Sequence, residues 1–222
     1  MLDALQTPAA CLFDLDGLLL DTEPLHGRAW KEAAAHFGAH LSQSQLLDLR
    51  GRRRQDCASK VNNWLPQRVG TDALLAVQQP IARKLLPEAQ AMPGAKSLIQ
   101  TCSDRSIPMA LVTSSSKDAV QFKSAPHPWL SLIQDRIYGD HPELSRGKPD
   151  PQPFVLAARQ LGVPAKQCWA LEDSKAGTAA ALAAGCRVWV LDQTAEANEH
   201  GHNPCRIQTL EIVRDALIRT SG

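Results

Sequence analysis

Ala10-Cys11-Leu12-Phe13-Asp14-Leu15-Asp16-Gly17-Leu18-Leu19-Leu20-Asp21 decides how the rest of the chain is read. A short apolar run with no helical period ends abruptly in two carboxylates and a glycine, the pattern of a buried strand whose C-terminal end carries polar work. Alternation along an extended chain aims Asp14 and Asp16 to one side, away from Leu15. One carboxylate can then attack while the other handles protons. Asp is a competent nucleophile toward phosphorus, Asp16 would serve the leaving oxygen and then a water, and Gly17 lets the backbone turn and approach a substrate closely. Asp and Gly are equally at home in a strand-terminating turn, so this stretch alone leaves both readings open.

Working outward, four further apolar runs read as strands: Met109 to Thr113, Arg136 to Tyr138, Cys168 to Leu171 and Arg187 to Leu191. Helical stretches lie between them, at Gly94 to Arg105, Lys117 to Phe122, Pro151 to Leu161 and Lys175 to Ala184, with a last one from Leu210 to Arg219. That alternation predicts a parallel sheet with crossover helices. Residues 21–90 break it. Glu23 to Phe37, Ser42 to Arg50, Arg53 to Trp64 and Asp72 to Leu86 follow one another as helices with no strand between. The expectation is an α/β protein with a doubly wound parallel-sheet core formed by residues 1–20 and 91–222, and a four-helix cap inserted as residues 21–90.

Composition narrows the classes of function. The chain has 222 residues, 44% of them hydrophobic, enough for a substantial core. A formal charge of +1 offers no field for nucleic acid or an anionic membrane, and Arg52-Arg53-Arg54 is too short for a nucleic-acid tract. No apolar run approaches a membrane span, and the first six residues lack the pattern of a signal peptide, so a cytoplasmic location is expected. Six scattered cysteines without a CxxC pair read as reduced core residues. No nucleic-acid and no membrane partner is expected, and the expected state is a monomer.

Three other strand ends carry chemistry. Ser114, followed by Ser115, offers a hydroxyl beside backbone N–H groups where a phosphoryl oxygen would sit, although Thr-Ser-Ser-Ser is also an ordinary helix N-cap. Lys148, between Gly147 and Pro149, would place an ammonium against both nucleophile and phosphate; surface lysines are the common alternative. Glu172 and Asp173 emerge together after Trp169-Ala170-Leu171 and, with Asp14, form a hard oxygen pocket suited to Mg²⁺, or else a solvated acidic helix cap.

In this order, Asp14-Leu15-Asp16-Gly17, Ser114, Lys148 and Glu172-Asp173 resemble the four motifs of the haloacid dehalogenase-like superfamily. The resemblance covers essentially the whole chain. It implies a Rossmann-like core, a helical cap of the first type, Mg²⁺ held by Asp14, Glu172, Asp173 and the carbonyl of Asp16, and an aspartyl-phosphate intermediate. The run Asp16 to Glu23, Met92-Pro93-Gly94-Ala95, Gly139-Asp140-His141-Pro142-Glu143 and Gly147-Lys148-Pro149-Asp150-Pro151 look like the branch holding pseudouridine-5'-phosphatase and plant-type glycerol and flavin mononucleotide phosphatases. His141 and Gln152-Pro153-Phe154 depart from that branch away from the catalytic positions. The first cap helix is also similar to that of β-phosphoglucomutase, which implies that His26 assists the proton shuttle; an ordinary helix histidine is the alternative. Arg52 is a candidate for substrate recognition, with Gly17 and Ser115.

Asp16 speaks against dehalogenation, which needs no leaving-group acid. A phosphomonoesterase acting on a sugar, polyol or nucleotide monophosphate is therefore expected. A phosphosugar mutase is the alternative, ahead of a non-catalytic binding protein.

Overall fold

The computed structural model describes residues 6–192 and 203–220. The N-terminal stretch read for a leader, residues 1–5, and the parts of the expected core at 193–202 and 221–222 lie outside the described residues.

The architecture is α/β and Rossmann-like. Strands β1 (Ala10–Phe13), β2 (Met109–Val112), β3 (Asp135–Ile137), β4 (Cys168–Glu172), β5 (Arg187–Leu191) and β6 (Cys205–Ile207) form one parallel sheet in the order β3-β2-β1-β4-β5-β6. The first strand is therefore central, with β2 on one side and β4 on the other. Sequence order reverses across it, and ligands collect where the strand ends part at such a reversal.

All four residues of β1 are fully buried, which is why the run is apolar without a gap. Its side chains still alternate. Cys11 and Phe13 join Leu111, Trp169, Leu171 and Trp189 on one face of the sheet, while Leu12 joins Val112, Ala170 and Val188 on the other. The first face is covered by α5 (Ala95–Asp104) and α9 (Glu211–Arg219), the second by α7 (Gln152–Gln160) and α8 (Lys175–Ala183). Helices on both faces make the winding double.

Between β1 and β2, before α5, come α1 (Glu23–His36), α2 (Gln43–Leu49), α3 (Arg54–Trp64) and α4 (Thr71–Leu85), with no strand among them. They bury an apolar cluster of their own, including Trp30, Ala33, Leu49, Val61 and Leu74. Ser42 starts α2 with a reciprocal capping box to Gln45. The two segments joining these helices to the sheet run side by side. Asp21 donates its N–H to the Gln90 carbonyl at 2.8 Å, and Met92 donates to Leu19 at 3.0 Å.

The expected elements fall within a residue or two of the observed ones, with one omission. Strand β6 is only three residues long, and its middle residue, Arg206, is exposed, so it presents no apolar run. It completes the sheet edge beside β5, far from the strand ends that carry the motifs. Six free cysteines are all buried, and burial raises the thiols of Cys57 and Cys186 to about 12 and that of Cys168 to about 11. They pack as small hydrophobes.

Because Leu12 lies at the centre of the sheet with no exposed surface, Leu12→Ala is expected to cost about 2–5 kcal/mol. Urea unfolding should show a lower midpoint with an unchanged slope.

Candidate active site

The ends of β1, β2 and β4 bring the predicted residues to one place. Register aligns Phe13 with Leu171, and Asp14 continues the ladder by donating its N–H to Leu171 at 3.1 Å. Asp14 and Glu172 therefore leave adjacent strands at the same height. Lys148, on the loop before α7, reaches between them. Its Nζ donates to Asp14 Oδ1 at 2.6 Å, to Glu172 Oε1 at 2.5 Å and to the Val112 carbonyl at 2.8 Å, which uses all three ammonium protons. All three side chains are almost fully buried.

Burial lifts the Asp14 carboxyl to about 7, with repulsion from Glu172 and Asp16 adding to the rise and Lys148 opposing it. For Lys148, burial acts downward, but the charges of Asp14 and Glu172 win and raise the ammonium above its ordinary value. The lysine is held as a cation.

Asp173 completes an acidic set. One oxygen each from Asp14, Glu172 and Asp173 lie within 4.8 Å of one another. Burial pushes Asp173 well above the usual carboxylate range, and the charges of Asp14, Glu23 and Glu172 push the same way against Arg50. Its Oδ2 accepts from Arg50 Nη2 at 2.8 Å, while its buried Oδ1 has no partner.

The backbone is shaped around these oxygens. A Cβ on Gly17, whose φ is +84°, would stand 2.3 Å from Asp173 Oδ2, and one on Gly177 would stand 2.0 Å from the Glu172 carboxyl carbon. Ser174 caps α8 by accepting from the Gly177 N–H at 3.0 Å and donates to Glu172 Oε2 at 3.1 Å. An orphaned buried oxygen beside two further carboxylates is the donor set of a hard divalent cation.

Asp16 sits in a second network. Its Oδ1 accepts from Thr22 Oγ1 at 2.7 Å and lies 3.2 Å from His26 Nε2; its Oδ2 accepts from Ser115 Oγ at 2.8 Å. Lys123 Nζ donates to both oxygens at 2.6 Å and to Ser115 Oγ at 2.8 Å. Burial acts to raise Asp16, but Lys123 and His26 outweigh it and hold the carboxyl well below the usual range. The two aspartates of one turn are thus pushed in opposite directions.

Three residues lie differently from the simplest expectation. Ser114 Oγ donates to the Gly51 carbonyl at 2.8 Å, joining the β2 end to the turn after α2 instead of facing Asp14. Arg52 lines the cleft but turns back on α2, with Nε donating to the Asp48 carbonyl at 2.8 Å. Arg50 takes the position by the acidic set, between Asp173 and Glu23, whose Oε2 is 2.9 Å from its Nε.

Sequence reasoning passed over Lys123 and Gln78. In α6 (Lys117–Ser124), Ala119 and Val120 mark the buried face, and Lys123 falls three and four residues further along that face, where an apolar residue would be expected. Gln78, in α4, is 1% exposed, lines the cleft and leaves its Oε1 unpartnered. The cleft between α1–α4 and the strand ends has a volume of about 1110 Å³, with Asp14, Asp16, His26, Arg54 and Ser115 on its walls.

The comparisons with known proteins agree with this geometry. A family model of haloacid dehalogenase-like hydrolases matches residues 8–185. The chain is 34% identical over 182 residues to the "Probable pseudouridine-5'-phosphatase" of Drosophila melanogaster, covering 80% of this chain and 79% of that one. It is 30% identical over 183 residues to "(DL)-glycerol-3-phosphatase 2" of Arabidopsis thaliana, covering 80% and 76%. A crystal structure of an HAD hydrolase, family IA, variant 3, from Entamoeba histolytica superposes with a TM-score of 0.77 at 25% identity, covering 95% of this chain and 98% of that one. The chain belongs to the haloacid dehalogenase-like hydrolase family, and it is an enzyme of that family.

The Asp14 shift has a measurable consequence. Unfolded, this carboxyl ionises near its ordinary value of about 3.9; folded, it keeps its proton to about 7. Between those values the folded state binds more protons than the unfolded state, so Asp14 lowers stability as pH rises through the window. Asp14→Asn is expected to melt higher than the parent near pH 8 in the absence of divalent ions. By about pH 4 the difference should vanish, as read by calorimetry at both values.

Proposed function

We propose that this chain is a Mg²⁺-dependent phosphomonoesterase that hydrolyses a small phosphorylated metabolite through an aspartyl phosphate on Asp14. The phosphoric monoester hydrolase class follows from the family and from the phosphatase names of the relatives above. The metal and the covalent intermediate rest on one observation: the Lys148 ammonium bridges Asp14 and Glu172 beside Asp173, whose buried Oδ1 has no partner.

Asp14, Glu172 and Asp173, with the backbone carbonyl of Asp16, would hold Mg²⁺, which when bound supplies positive charge against the phosphoryl oxygens. The carboxylate of Asp14 attacks phosphorus as the bond to the leaving oxygen breaks. Lys148 opposes the rise that burial imposes on Asp14, orients its carboxyl and presents positive charge where equatorial oxygens gather negative charge. Asp16, held ionised here by Lys123 and His26, takes up a proton from solvent once Thr22 and His26 withdraw, and gives that proton to the leaving alkoxide. It then takes one from a water as that water attacks the phosphorus, breaking the bond to Asp14 and freeing phosphate.

Residues 21–90 act in this reading as a cap that covers the cleft, with residues 19–22 and 90–92 as its paired hinge. Ser114 Oγ, now on the Gly51 carbonyl, would be released to a phosphoryl oxygen when the cap lifts. The alcohol part of the ester meets the cap, where Arg54 and the unpartnered amide oxygen of Gln78 line the cleft. An acceptor such as Gln78 Oε1 favours sugar or polyol hydroxyls. Hydrolysis is preferred to phosphosugar transfer because both named relatives carry phosphatase names. Among the described residues no helix is long and apolar enough to cross a membrane.

Purified protein with Mg²⁺ is expected to release phosphate from p-nitrophenyl phosphate and from members of a panel of sugar, polyol and nucleotide monophosphates. Chelation should abolish release, and Asp14→Asn should lower kcat by at least about 10³-fold. Persistence of activity in Asp14→Asn would remove the nucleophile assignment.

A further inference from the structure

Lys123 lies beneath the cleft, hydrogen-bonded to Asp16, and the steps above give it no task. Its side chain has no exposed surface, yet its ammonium ends 2.6 Å from each oxygen of Asp16. A buried lysine is costly unless fully paired, and here the pairing is entirely with Asp16 and Ser115. Nothing about β2, α6 or their packing requires a charge at this point of the helix.

Five polar contacts converge on the Asp16 carboxylate, which has about four lone-pair sites to offer. An ester oxygen or a water can be served only if a present partner yields. The partners come from two sources. Thr22 and His26 belong to the entry of the helical insertion, at the N-cap and in the first turn of α1. Ser115 and Lys123 belong to the β2–α6 segment of the core. A movement of α1 away from the strand ends would withdraw His26 and loosen Thr22 while Ser115 and Lys123 stay with the β2–α6 segment. Oδ1 would then be open on its Thr22 and His26 side while Lys123 still spans both oxygens.

We propose that Lys123, with Ser115, is a positioning residue that holds the Asp16 carboxyl group aimed at the leaving oxygen while Thr22 and His26 come and go. It touches neither substrate nor nucleophile and acts through Asp16. The same ammonium faces the charge that remains on Asp16 after the proton has passed to the alkoxide. This rests on the phosphomonoesterase reading and adds to it a residue that none of the four motifs contains.

The test compares an alkyl phosphate, which needs its leaving oxygen protonated, with p-nitrophenyl phosphate, whose phenolate leaves with little help. The variants are Lys123→Met, Asp16→Asn and the double variant Asp16→Asn/Lys123→Met, each checked for a cooperative melt. Lys123→Met should lose about 100-fold or more in kcat/KM on the alkyl ester and no more than about 10-fold on the aryl ester. In the Asp16→Asn background, Lys123→Met should cost nothing further on the alkyl ester, because the group it positions is already gone. The double variant carries no unpaired buried charge and Asp16→Asn still offers Lys123 an amide oxygen beside Ser115, so their comparison, with both confirmed folded by the melt, stands even if Lys123→Met alone fails to fold.

Equal losses on both esters, or a further loss on the alkyl ester in the Asp16→Asn background, would overturn the positioning role. Absence of turnover of either ester by the unsubstituted protein would instead overturn the phosphatase reading, and it is distinguishable because it appears before any substitution is made.

Discussion

Repulsion among buried carboxylates governs this molecule's working end. Strand order places Asp14 and Glu172 side by side at the reversal of the sheet, Asp173 follows directly, and Asp16 is two residues from Asp14. Charges brought this close in a dry environment cannot all ionise without compensation. Lys148 spans Asp14 and Glu172, Lys123 spans the two oxygens of Asp16, and Arg50 reaches Asp173 from the start of the turn after α2. Much of the surrounding architecture serves to deliver those three cations: a loop before α7, the last turn of α6, and the C-terminal end of α2.

The cations separate the two aspartates of one turn into different electrostatic roles. Asp14 has only a share of Lys148 and is surrounded by like charge, so burial dominates and its carboxyl rises to about 7. Asp16 has an undivided Lys123 with His26 alongside, and its carboxyl falls well below the usual range. Additional positive charge beside Asp14 would favour its ionised form. Asp14, Glu172 and Asp173 are the three carboxylates whose oxygens lie close enough together to share such a charge.

How much of this was legible in sequence depended on whether a residue's signal was local. Asp14, Asp16, Lys148, Glu172 and Asp173 each follow an apolar run or sit in a rigid Gly-Lys-Pro setting, and the fold brings them together because strand ends converge. The helices of residues 21–90 were visible from their period and their Gly and Pro stops. Lys123 was not, because its meaning depends on which face of α6 is buried and on what lies beneath it. Arg50 was passed over, although Arg52 beside it was noted, for a related reason. Two residues apart across a turn, they point in different directions, and only the chain path after α2 decides that Arg50 meets Asp173 while Arg52 folds back on Asp48. Strand β6 was missed because a three-residue edge strand with an exposed arginine has no pattern to read.

The most direct test is chemical trapping of the intermediate. Protein turning over an alkyl or aryl phosphate with Mg²⁺ would be quenched and reduced with borohydride, which converts an aspartyl phosphate to homoserine, and the peptides sequenced by mass spectrometry. Homoserine at position 14, dependent on substrate and absent from Asp14→Asn, is the predicted result. Steady turnover with Asp14 unmodified, or a phosphoryl group trapped on another residue such as His26, would contradict the assignment of Asp14 as the nucleophile.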